Sequence, residues 1–164
     1  MDEIMTSKKA QAWGFDLLIA LIIFTLGIIA FYLYALNMPN EAESIMETMN
    51  YQGNAISNSI LSEGHPLNWN QDDVTNIGIL SNNKINQTKL ERFFSLSSAN
   101  YVRAKSLFNT RYEYYVSLSE NFTINGSEVE GIGNKPTSPK NLIKIARLTI
   151  YNNKPITFNL EVWE

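Results

Sequence analysis

The 164-residue chain contains no cysteine. Disulfide staples, thiolate metal sites and cysteine nucleophiles are therefore excluded. Histidine occurs once, as His65 ahead of Pro66 in a loop-like stretch. A histidine-based metal cage is not available, and no serine has a histidine near it in a nucleophile motif. Charge is scarce as well: 18% of residues are charged against 45% hydrophobic, and the formal net charge is −3. A duplex binder needs a clustered basic face. Here lysines and arginines are scattered from Lys84 to Lys154 without a run, so no nucleic-acid partner is expected.

The remaining chemical signals read as local structure. Asp72-Asp73, near Asn68 and Asn70, lacks the glycine and the terminal glutamate of a calcium loop. Such residues suit turns and caps. Gly131-Ile132-Gly133 has no following Lys-Ser/Thr and is not a phosphate loop. Glu128 and Glu130 lie on one strand face beside a turn and read as solvated. No catalytic set, metal site or cofactor is expected, and the chain does not read as an enzyme.

What the sequence has instead is one long apolar run. Leu17 to Leu36 carries no charge. As a helix it would span about 30 Å, the thickness of a hydrocarbon core. A secretory signal has an apolar core of only about 7 to 15 residues, and no small-x-small cleavage site follows this one. Trp13 stands near one end, Tyr32 and Tyr34 near the other, as interfacial aromatics do. Lys8 and Lys9 precede the run, and no lysine or arginine then occurs until Lys84. The expectation is a single-pass membrane helix with its N-terminus cytoplasmic and its C-terminal domain outside. Three sequons fit an exported domain, at Asn86, Asn121 and Asn125. Asp16 sits one residue before the apolar core. A carboxylate there is costly and tends to be paired or functional; a neighbour's N-terminal amine would be a suitable partner.

Beyond the run, Pro39 should break the helix. Ile45, Met46, Met49, Ile56, Ile60 and Leu61 recur at helical spacing and predict a stalk helix, weakened at Gly53. Val74 to Leu80 reads as a short extended element. Thr88 and Glu91 fit a capping box before a helix over 89–96, and Asn100 can cap another through Phe108. Tyr112, Tyr114, Val116 and Leu118 alternate as in a strand. Asn125-Gly126 marks a hairpin turn, 131–141 reads as a loop, and 142–151 and 156–163 form a closing hairpin. The sum is an α+β chain: a leader (1–10), a transmembrane or assembly helix (11–36), a stalk helix (37–62), and a head (63–164) with short helices first and an antiparallel sheet last. Trp69, Tyr114 and Tyr115 are candidates for exposed contact aromatics, although core packing suits most such residues.

Lys8-Lys9-Ala10-Gln11, followed by an acid and an apolar helix, resembles the archaeal type IV pilin-like proteins with a class III signal sequence. S-E-G-H-P-L-N-W at 62–69, I-G-I-L-S-N-N-K-I-N-Q-T-K-L at 77–90 and E-V-W at 161–163 also look like sequences of such proteins. The resemblance implies that a prepilin peptidase cuts before Gln11 and leaves the apolar helix in place. It implies other pilin-like subunits as partners through that helix, in a surface filament or an adhesive assembly. Family members commonly carry the acid, a glutamate, as the fifth residue of the mature chain. Cutting before Gln11 makes Asp16 the sixth. That offset points to a minor pilin or pseudopilin. The alternative is an uncleaved single-pass protein whose outer domain binds a cell-envelope partner.

Overall fold

The structure is a computed structural model that describes residues 3–37 and 41–164, with the backbone alone for 3–13 and 41–42. The chain divides into two compact units, Met1–Glu41 and Ala42–Glu164.

The first unit contains one helix, α1 (Glu3–Leu36). Its backbone begins N-terminal to residue 11, so Lys8, Lys9, Ala10 and Gln11 lie within the helical span. From Gly14 to Asn37 every residue is exposed, and apolar side chains occupy all sides. Its stretch Gly14–Leu36 is the one helix, among the described residues, long and apolar enough to cross a membrane. The Thr25 hydroxyl donates to Leu21 O at 2.8 Å. The most polar side chain of the run thus satisfies itself inside the helix, as a nonpolar surrounding would require. At the C-terminal end the Asn37 side-chain amide donates to Leu33 O at 2.9 Å. Pro39 lies outside the described residues.

The second unit contains all but the first residue of α2 (Glu41–Ile60), followed by the short strands β1 (Leu80–Ser81) and β2 (Lys84–Ile85). Helices α3 (Gln87–Ala99) and α4 (Tyr101–Leu107) come next. Then come β3 (Glu113–Leu118), β4 (Phe122–Ile124), β5 (Ser127–Val129), β6 (Ile132–Gly133), β7 (Leu142–Tyr151) and β8 (Lys154–Trp163). The main sheet has the order β6-β3-β8-β7, and all its pairings are antiparallel. This is an α+β chain, with helices after the long apolar one and the antiparallel sheet last. Three paired turns carry their asparagines in the left-handed region: Asn82-Asn83, Asn125-Gly126 and Asn152-Asn153. Asparagine tolerates positive φ better than other non-glycine residues, so these turns follow directly from sequence.

The core lies between the sheet and the helices. Ile156, Phe158, Leu160 and Val162 of β8 point inward with Tyr114, Val116 and Leu118 of β3. From α2, Met49, Ile56 and Ile60 are buried. At Gly53 α2 passes close to side chains of the sheet. A Cβ there would meet the Cδ1 atoms of Ile145 and Ile143 at 2.8 and 2.9 Å. The residue that lowers helix propensity is therefore the one that admits the strands. Phe93, Phe108 and Tyr114 form an aromatic cluster, with edge-on contacts at centroid distances of 6.0 and 5.2 Å. Each such pair adds about 0.5–1.5 kcal/mol beyond area burial.

A second feature is a backbone crossing between 62–65 and 76–80. His65 N–H donates to Asn76 O at 2.9 Å, and Leu80 N–H to Ser62 O at 2.8 Å. Two glycines face each other across it. Gly64 has φ +73°, and a Cβ on it would lie 2.8 Å from Asn76 O and from Gly78 N. Trp69 is fully buried against this crossing, and its indole N–H donates to Gly78 O at 2.9 Å.

Several sequence expectations need correction. Asn86, not Thr88, caps α3: its side chain accepts from Lys89 N–H, and the helix starts at Gln87. The asparagine two residues earlier caps Lys89 N–H instead of the Glu91 N–H that the capping box would have used. The 131–141 loop contains a strand, β6, held to β3 through Val116↔Ile132 and Tyr115↔Gly133. Strands this short leave no alternation to read. Trp69, Tyr114 and Tyr115 are buried at 0%, 0% and 9% exposure, so none is a free contact aromatic.

Candidate functional site

The sequence pointed to the N-terminal helix. Lys8, Lys9, Ala10 and Gln11 fall in its first turns, and their side chains lie outside those described. Asp16 projects from α1 one residue before the uncharged run and is exposed. It shares a helix with an apolar surface that nothing in its own unit covers. Chemically this surface can do one thing well, which is to partition into a nonpolar medium. Each Leu, Ile or Phe contributes about −0.3 to −0.6 kcal/mol at the centre of a bilayer, while Asp costs about +2.5 to +3.5 kcal/mol there. On that scale the apolar residues favour a bilayer interior and Asp16 opposes it.

The three sequons are in different settings. Asn86 is half-buried, and its side-chain oxygen is used as the α3 cap. Asn121 is exposed, and its amide donates to Glu128 at 3.1 Å. Asn125 is exposed in the β4–β5 turn.

On the second unit a cleft of about 280 Å³ lies between α3, α4 and β6. Phe94, Ser97, Tyr101 and Asn134 line it. Its polar groups are committed to the fold. The Tyr101 hydroxyl accepts from Tyr114 N–H at 3.0 Å and donates to Tyr114 O at 3.3 Å. Ser97 and Tyr114 share a hydroxyl–hydroxyl bond of 2.9 Å. Burial pushes the pKa of both tyrosines well above the usual phenol range, so both hydroxyls stay neutral. No group of three or more His, Asp or Glu able to hold a metal occurs among the described residues. In the Asn68–Asp73 loop the Asp73 carboxylate is already used. Asp73 Oδ1 accepts from Asn70 N–H at 2.6 Å, and Asp73 Oδ2 from the Asn70 amide at 3.1 Å. Glu128 and Glu130 are exposed, and Glu130 pairs with Lys135 at 2.7 Å. Such a surface pair contributes little.

Two groups that the sequence did not flag hold the unit together. Lys89 is buried, and its ammonium donates to Glu63 O at 2.7 Å and Leu80 O at 2.8 Å. It ties α3 to the segment on either side of the glycine crossing. Burial lowers its pKa, Glu63 opposes that shift and Arg92 adds to it. Glu113, at the start of β3, accepts from Lys105 at 2.6 Å and from the Asn134 amide at 2.8 Å. Burial alone would raise its pKa. Hydrogen bonds from Lys105 and Asn134, together with the Lys105 charge, outweigh burial and lower it. No spacing rule links these partners, because they come from separate elements.

The sign for Glu113 follows from linkage. A carboxylate with a depressed folded pKa stabilises above its unfolded value, about 4.3, and loses that contribution as pH falls through the folded value. Urea unfolding between pH 6 and pH 3 is therefore expected to show a loss of stability that Glu113→Gln reduces. An unchanged acid slope in that variant would contradict the assignment.

Compared with known proteins, the chain has no significant match. That holds for family models, for curated proteins and for solved structures.

Proposed function

We propose that this chain is a pilin-like structural subunit, a minor pilin or pseudopilin, of an archaeal type IV filament or related surface assembly. The observation that carries this reading is the order of features in the first unit. Lys8-Lys9-Ala10-Gln11 leads to Asp16 and then to a helix that is apolar on every side. A separately packed α+β unit follows. A prepilin peptidase would cut before Gln11 on the cytoplasmic side. The helix would then sit in the lipid membrane with the C-terminal unit outside. It would pack against the helices of other pilin-like subunits when drawn into a filament. Asp16 would meet a neighbour's new N-terminal amine. In this reading the protein has no catalytic role, takes no cofactor and binds no nucleic acid.

One observation favours a second reading. Asp16 would be the sixth residue of the cut chain, one place beyond the family position, and it is shorter than glutamate. An uncleaved single-pass anchor, displaying its outer unit to a cell-envelope partner, needs no such alignment. The N-terminal mass of the protein from native membranes separates the two. A mature chain starting at Gln11 is expected. An intact Met1 in cells with active prepilin peptidase would overturn the pilin reading and leave the anchor.

A further inference from the structure

The β4–β5 hairpin turns at Asn125-Gly126. Of the eight glycines in the chain, Gly126 alone follows an asparagine. Both turn residues are exposed, with φ +50° and +84°. Apart from its chain neighbours, no heavy atom of the described residues lies within 4 Å of where a Gly126 Cβ would stand, so water reaches the tip freely. Gly126 N–H has no hydrogen-bond partner among the described residues. Of the two sequon asparagines flanking β4, Asn121 donates to Glu128 at 3.1 Å, whereas the Asn125 amide has no partner among the described residues. The ladder below the turn has only three pairs, Phe122↔Val129, Thr123↔Glu128 and Ile124↔Ser127. It belongs to no larger sheet, and so short a hairpin is marginal by itself. Phe122 and Ile124 are buried and anchor its first strand. The tip can therefore open locally while the core stays packed.

We propose that Asn125 is a site of spontaneous covalent modification, converted to aspartate and isoaspartate through attack by Gly126 N on its side-chain amide. The Gly126 amide gives up its proton to base, and its nitrogen bonds to Asn125 Cγ. The bond from Cγ to the side-chain nitrogen breaks. That nitrogen takes a proton from water and leaves as ammonia, and a succinimide ring remains. Water then opens either ring carbonyl. One opening gives aspartate; the other gives isoaspartate, in which the main chain runs through Cβ and Cγ. Glycine matters because it has no Cβ to shield its nitrogen or to resist rotation of the main chain. The Asn152-Asn153 turn is the contrast within the same molecule. It has the same left-handed pair, at φ +49° and +62°, but its second residue bears a side chain. Asn153 also accepts from Lys84 at 3.0 Å, and a ladder of ten pairs holds that turn closed. The nitrogen lost from Asn125 is the atom to which a glycan on this sequon would be joined. The two modifications therefore exclude each other, and deamidation removes the sequon permanently. The chemistry does not depend on the role of α1.

The test uses the full chain in detergent micelles, made in a host without N-glycosylation and incubated in neutral to mildly alkaline buffer. Peptide mass spectrometry reads the amide-to-acid mass gain at each asparagine, and fragmentation through the main chain separates isoaspartate from aspartate. The gain is expected at Asn125 about tenfold faster than at Asn152, because only the glycine nitrogen is unhindered. Both products should appear. The rate should rise about tenfold per pH unit, following the fraction of amide anion. Gly126→Ala should slow the gain about tenfold. Absence of the gain in the folded chain, reaction of urea-unfolded chain only, or equal rates at Asn125 and Asn152 would each overturn the proposal. Aspartate without isoaspartate would overturn it too and point to direct hydrolysis, as would an unchanged rate in folded Gly126→Ala. If near-ultraviolet circular dichroism shows that Gly126→Ala disturbs the fold, the unsubstituted chain decides. Isoaspartate formed faster at Asn125 than at Asn152 supports the proposal, and its absence refutes it.

Discussion

Replacing Gly78 with alanine is expected to destabilise the second unit by about 3 kcal/mol or more, at the upper end of what overpacking costs. A Cβ at this position would collide with Gly64 N and would lie 2.5 Å from Ser62 O and 2.7 Å from Gly64 Cα. All three are backbone atoms, so no side-chain rotation relieves the overlap. The neighbouring strand of chain cannot retreat either. It is held by Ile79 N–H to Ile60 O at 2.8 Å, by Leu80 N–H to Ser62 O at 2.8 Å, and by Trp69 to Gly78 O. Parting the two segments would lengthen those bonds and open the wall against which Trp69 packs. Gly53→Ala is the comparison. Its new methyl would press on the Cδ1 tips of two isoleucines, which can rotate. Urea unfolding of both variants, followed by near-ultraviolet circular dichroism, should rank Gly78→Ala well below Gly53→Ala. Equal losses would mean that the crossing yields more easily than its hydrogen bonds imply.

Deleting residues 14–36 is expected to move the chain from an alkali-resistant membrane fraction to the soluble fraction. The deleted stretch holds a long series of Leu, Ile and Phe, each favouring the bilayer centre by about 0.3–0.6 kcal/mol. Together they supply several kcal/mol that nothing in 42–164 replaces. A milder change acts in the same direction. Arginine at Ile22 and Ile29 would replace two favourable terms with penalties of about 2.5–3.5 kcal/mol each on the same scale. Carbonate extraction of membranes, read by immunoblot, checks both. Persistence of the deletion variant in the washed membranes would show that attachment resides elsewhere in the chain.

Much of the second unit was legible because its signals are local. The inward face of β8, the Asn152-Asn153 turn and the Asn100 cap of α4 follow from period, turn chemistry and capping. The sequence was misleading where a tertiary contact decided. Gly53 looks like a weak point in a helix, yet it is where two isoleucines enter. Gly78 carries no local mark, since its requirement comes from Gly64, fourteen residues earlier in the chain and adjacent in space. Lys89 reads as a surface helix residue until two carbonyls from distant segments are brought to it. On the candidate site the limit is different. Lys8 to Gln11 and Asp16 were visible as a pattern from the start. Under the proposed function their meaning would depend on a peptidase and on neighbouring subunits, which no single chain displays.

All of the buried hydrophobic residues among those described belong to the second unit, from Met49 to Val162. The apolar cluster that holds 42–164 together is supplied by residues of 42–164. Under the proposed function, a change in the surroundings of α1 would therefore alter how the chain is attached and leave that cluster as the seat of its folding free energy.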